Sequence, residues 1–177
     1  MPTLPIVIAP DERLITRASE VQEINDEIKK LVNDMFETVS DANGFGLAAV
    51  QLGVLKRVFV TCISPEYQEE YPGYQSIGTF CMINPEITEL SDEQVVMTEG
   101  CLSIPEQHYE IKRPQYLTVK YWDIDGKEKT IKANGWLARC IQHELDHLNG
   151  ILYIRHLSKL KYGLAIKKAK KIKERYS

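Results

Sequence analysis

The chain has 177 residues, 44% hydrophobic and 27% charged, with a net charge of −3. That composition suits one globular domain over residues 1–177 with a substantial core, and excludes a disordered or low-complexity chain. No apolar run is long enough to span a bilayer, so no membrane association is expected.

The N-terminus meets Pro10, Asp11 and Glu12 early and has no cationic n-region, so it does not resemble a secretory signal. From Val21 to Val39, apolar residues recur at i, i+3, i+4 and i+7, which predicts an amphipathic helix stopped by Asp41-Ala42-Asn43-Gly44. Arg57–Ile63 is β-branched and strand-like, and Pro65–Gly78 reads as a loop. Further strands are expected over 81–90, 93–99, 116–123 and 127–132, with Asp125-Gly126 as a hairpin turn between the last two. Gly135 to about Asn149 predicts a second helix and Ser158–Arg175 a third. Strands and helices do not alternate, so the expected class is α+β with mainly antiparallel sheets around the second helix.

From Leu157 onward the chain carries eight of its 22 basic residues and one of its 25 acidic ones, leaving a body with a net charge of −10. This basic extension, residues 157–177, points to an anionic partner. Cys62, Cys81, Cys101 and Cys140 are widely spaced in a chain without an export signal, so reduced thiols in the cytoplasm are expected.

The most specific feature lies in the second helix. His143-Glu144-Leu145-Asp146-His147 is an H-E-x-x-H motif. Its histidines, four apart, share a helix face and can ligate one metal ion, and Glu144 can take a proton from the water that the metal activates. A hydrolytic site of this kind needs a third protein ligand. Cys140 lies seven residues from His147, roughly 10.5 Å along a helix, beyond the reach of a cysteine side chain. Cys101 remains, in the turn Glu99-Gly100-Cys101-Leu102-Ser103.

Three segments together resemble the peptide deformylase family in order and spacing: Gly44-Phe45-Gly46-Leu47-Ala48-Ala49-Val50-Gln51, Glu99-Gly100-Cys101-Leu102-Ser103 and His143-Glu144-Leu145-Asp146-His147. The likeness extends over most of the chain and is closest to the bacterial type with a helical C-terminus. It implies a metallohydrolase that removes the formyl group from the N-terminal formylmethionine of nascent polypeptides and releases formate. Cys101, His143 and His147 would hold the metal. Hydroxide would attack the formyl carbon, with Glu144 as general base and then acid. The resemblance assigns oxyanion stabilisation to the Gln51 amide and the Leu102 backbone N–H. Gly44, Phe45, Gly46 and Gly100 would border the peptide, and a pocket near Phe45, Trp136, Cys140 and His143 would receive the methionine side chain. Glu99 and Asp146 are candidates to orient the ligands. A Cys/His/His set would suit zinc on softness alone. The resemblance implies one iron(II) per chain, replaceable by zinc, nickel or cobalt. It also implies a monomer whose basic C-terminal helix docks on the ribosome, with no site residue in that tail.

Asn43, His108 and Trp136 depart from the residues common in the family (Glu, Arg and a smaller aliphatic) and concern the rim of the peptide site. Three other readings remain: a zinc peptidase with a different third ligand, a non-catalytic ribosome-associated module, and a nucleic-acid-binding protein resting on the tail. The acidic body argues against the last.

Overall fold

The computed structural model describes residues 3–176. In chain order the regular elements are α1 (Asp26–Asp41), β1 (Gly46–Ala48), β2 (Val58–Ile63), β3 (Gly78–Leu90), β4 (Gln94–Cys101), β5 (Ile104–Pro114), β6 (Tyr116–Trp122), β7 (Glu128–Asn134), α2 (Gly135–Leu148) and α3 (Lys159–Tyr176). β1-β2-β3-β6-β7 form one antiparallel sheet and β4-β5 a second, two-stranded one. The expected α+β class is the observed one. Among the described residues no helix is long and apolar enough to cross a membrane.

α2 lies on one face of the large sheet and α1 on the other, and the sequence of β2 shows why. Strand side chains alternate between faces. Phe59 and Ile63 pack with Leu137, Ala138 and Ile141 of α2, while Val58 and Val60 pack with Val32, Met35 and Val39 of α1. The nearly continuous apolar run in β2 is what a strand covered on both faces requires. A third cluster joins Ile104 and Ile111 of β5 to Tyr153, Ile154 and Ala165, and so docks α3 beside the small sheet.

Two expectations needed correction. The first helix begins at Asp26, not Val21. Asn25 caps it, its side chain accepting from the Ile28 N–H at 3.0 Å. Val21 is held instead by Asn84, which accepts from its N–H at 2.8 Å and donates to its carbonyl at 2.9 Å. The apolar period therefore continues into a segment whose backbone is committed elsewhere. The second correction is β5, a strand of 11 residues not foreseen from the sequence. Its two prolines and dense charge hide the alternation, and it forms because β4 supplies its partner strand.

Candidate metal centre and adjoining cavity

α2 sets the two histidines one turn apart, with ring centroids 5.1 Å from each other. Arg57 fixes the end of this helix by donating to the Leu148 carbonyl and the Asn149 side chain, each at 2.9 Å. The β4–β5 turn delivers the third donor. Cys101 closes the hairpin opposite Ile104 after a register shift that follows Glu99. The donor atoms of Cys101, His143 and His147 all lie within 4.8 Å of one another, and Cys101 Sγ is 3.3 Å from His147 Nε2. Cys140 stands outside this group, its thiol directed to the Phe45 carbonyl at 3.5 Å.

A buried ionic network holds the cluster in place. Glu99 accepts from His143 Nδ1 at 2.8 Å, from Arg113 Nε and Nη2 at 2.6 and 3.0 Å, and from Arg139 Nη1 at 2.7 Å. With Nδ1 so engaged, Nε2 of His143 is the nitrogen left for a metal. Arg113 also pairs with Asp146 at 2.9 Å, and His156 meets the same carboxylate at 2.9 Å. Burial alone would raise the Glu99 pKa, but the hydrogen bonds from His143 and Arg113 hold it below the usual carboxylate range. Asp146, expected as an orienting group, pairs with Arg113 and His156. Arg113, Arg139 and His156 were not foreseen, since they lie on three separate segments and carry no local spacing signal.

The donor set fits a divalent cation. Burial drives the His147 pKa well below its ordinary value, which keeps the ring neutral, as a ligand must be. Burial opposes charge on His143, yet the Cys101 thiol and the Glu99 carboxylate beside it raise its pKa well above normal, so this ring, unlike His147, must give up a proton to ligate. Beside it Glu144 is 4% exposed, and its Oε1 has no hydrogen-bond partner among the described residues. Burial pushes its pKa up to about 7, despite the opposing pull of His143. A carboxyl group with one free oxygen and a pKa near neutrality is suited to proton transfer.

Every residue the sequence assigns to the site, except His147 and Asp146, lines one cavity of about 920 Å³. The Gln51 amide is locked. Its oxygen accepts from the Ala48 N–H at 2.9 Å, and its nitrogen donates to Ser103 Oγ at 3.1 Å and lies 3.7 Å from Cys101 Sγ. Ser103 is therefore a positioning residue that the sequence did not single out. Gly46 sits so close to the site that a Cβ there would come within 2.6 Å of Cys140 Sγ and 2.9 Å of Glu144 Oε2. A Cβ on Gly100 would meet the His108 ring at 2.7 Å. Phe45 packs edge-to-face on Trp136 at 5.4 Å and on Tyr67 at 4.8 Å. Tyr67 comes from a short 3₁₀ turn in the expected loop and was also not foreseen. Tyr176, at the end of α3 in the tail where no site residue was expected, also borders this cavity.

Comparison with known proteins finds relatives over nearly the whole chain. The sequence profile of the family described as polypeptide deformylase matches residues 3–162. A peptide deformylase of Wolbachia pipientis wMel is 75% identical over 177 residues, covering 99% of each chain. The crystal structure of peptide deformylase from Ehrlichia chaffeensis in complex with actinonin superposes with a TM-score of 0.92 at 49% identity, covering 97% of this chain and 98% of that one. A Met-Ala-Ser-bound class I type b peptide deformylase from Acinetobacter baumannii superposes with a TM-score of 0.80 at 33% identity, covering 88% of this chain and 99% of that one.

Proposed function

Since the chain belongs to the polypeptide deformylase family, metalloenzymes that remove the N-formyl group from nascent polypeptides, we propose that Cys101, His143 and His147 hold its metal and that Glu144 moves the protons. The observation that carries this reading is the unpaired, buried Glu144 oxygen beside a closed Cys/His/His cluster on a cavity wall. Bound there, the ion supplies Lewis-acid activation of a water molecule as nucleophile.

The chain's own residues do the rest. Glu144 takes a proton from the water as its oxygen adds to the formyl carbon. The Gln51 amide, held by Ala48 and Ser103, and the Leu102 backbone N–H donate to the oxygen that gains charge. As the C–N bond breaks, Glu144 returns the proton to the departing amine, leaving formate and a free N-terminus. The apolar recess of Phe45, Trp136 and Cys140 receives the methionine side chain. The Gly44–Gly46 stretch leaves room for the peptide backbone to run alongside as an added strand. The bound Met-Ala-Ser of the Acinetobacter baumannii relative is the kind of occupant such a groove takes.

We assign iron(II) as the resident ion, one per chain, with zinc, nickel or cobalt able to stand in. The reading extends to a monomeric cytoplasmic enzyme of one catalytic domain that meets its substrates at the ribosome through α3. The test is metal analysis of protein purified without oxygen, alongside hydrolysis of formyl-Met-Ala-Ser. Iron near one per chain together with formate release is expected. Hydrolysis that persists after complete metal removal would overturn the assignment.

A further inference from the structure

We propose that the last turn of α3 forms a wall of the peptide groove and contacts the substrate beyond its first two residues, with Tyr176 as the contact side chain. This rests on the deformylase reading of the groove. Tyr176 lines the cavity that also holds Cys101, His143 and Glu144, although it stands at the opposite end of the chain from the first motif.

The helix reaches that point for definite reasons. Ala165, Ala169 and Ile172 are buried and fall on one stripe, so α3 docks through small side chains that permit close approach. Gln107 in β5 donates to the Ala165 carbonyl at 3.1 Å. Three basic side chains along its second half then tie it to Glu106 on the cavity wall and to Pro10 of the N-terminal segment. Lys168 Nζ lies 3.5 Å from the Glu106 carbonyl, and Arg175 pairs with the Glu106 carboxylate at 3.3 Å. Lys173 donates to the Pro10 carbonyl at 2.5 Å, just after the 5–8 segment that forms another part of the wall. Glu106 itself has a left-handed backbone, φ +66°, unusual for a residue with a side chain. The clamp from α3 and this strained residue meet at one place, next to Pro105 and His108 on the cavity lining.

Tyr176 is 60% exposed at this rim. An aromatic ring that is open to solvent, carried on a fastened helix end and bordering a peptide groove offers apolar area and a hydroxyl at little further entropic cost. In the proposed pose the methionine side chain fills the recess of Phe45 and Trp136, and a longer chain continues along the wall of the same cavity toward Tyr176. The same helix carries the basic face, so the element that docks the enzyme also touches the emerging chain.

The experiment compares wild type, Tyr176→Ala and Tyr176→Phe on formyl-Met-Ala, formyl-Met-Ala-Ser and a formyl-Met hexapeptide. In Tyr176→Ala the ratio of kcat/KM for the hexapeptide to that for the dipeptide should fall about three- to tenfold, through KM, as expected for one aromatic contact. Tyr176→Phe should restore most of the ratio. Calorimetric binding of the unformylated hexapeptide should weaken by the same factor in Tyr176→Ala, which reads the contact without turnover. An unchanged ratio with unchanged binding overturns the proposal, and so does an equal loss on all three substrates. Failure of wild type to release formate from any of them overturns the deformylase reading instead, and the binding arm still decides the contact.

Discussion

Glu144 and Cys101 carry opposite burdens, and single substitutions separate them. Glu144→Ala removes the group proposed for both proton transfers while Cys101, His143 and His147 stay in place. General acid–base groups contribute about 10²–10⁴-fold in rate, so a loss at or beyond the top of that range is expected with metal still bound. Near-wild-type turnover with full metal would refute the role. Cys101→Ala should lose stoichiometric metal, whereas Cys140→Ala should keep it, because Cys140 bonds to the Phe45 carbonyl and stands outside the donor cluster. Metal analysis of the two purified variants decides this. Gly46→Ala is a subtler probe. Its new methyl would overlap Cys140 Sγ and press on Glu144 Oε2, so it should lower kcat while the protein remains folded by circular dichroism. At this scale the H-E-x-x-H spacing displayed its chemistry in the sequence. The locking of Gln51 by Ser103 did not show, because those residues are distant in sequence and meet only through the tertiary fold.

At the scale of elements, the site depends on the agreement between α2 and the β4–β5 hairpin. Glu99 in β4, Arg113 in β5 and Arg139 in α2 form ion pairs with side chains only 3–4% exposed. Arg113→Ala leaves Glu99 with Arg139 and His143 and leaves Asp146 with His156, so its cost lies at or below the about 3–5 kcal/mol of a fully broken buried pair, and Tm should fall by roughly 2–20 °C. It should also weaken metal retention, since Glu99 and through it His143 lose one anchor. A Tm within 2 °C of wild type, on the same per-kcal/mol scale, would show that the network is dispensable. The hairpin explains why β5 escaped the sequence. Pro105, Pro114 and the charges between them carry no strand signal alone, and β4 together with the Glu99–Arg113 pair makes the strand. The end of α1 and all of α2, by contrast, were legible from apolar period and stop residues, which act locally.

Over the whole molecule, charge is divided between an acidic body and a basic C-terminal helix. Lys167, Lys170 and Lys171 are exposed and take no part in the clamp on Glu106 and Pro10. Reversing these three to Glu should leave α3 docked and should weaken co-sedimentation with ribosomes most at low salt, where contacts to phosphate are strongest. Equal sedimentation of variant and wild type across a salt series would reduce the basic face to a solvated surface. The amino-acid sequence by itself determined the fold class, α2 and α3 near their true bounds, the end of α1, and the family likeness. Those features reside in short-range periodicity and in motifs whose spacing is set by helix geometry. Only the tertiary structure decided that three donors converge within 4.8 Å, that Arg113 and Arg139 brace them, and that Tyr176 returns to the cavity. The reason is physical: these relations join residues far apart in the chain, and burial against the large sheet fixes their distances.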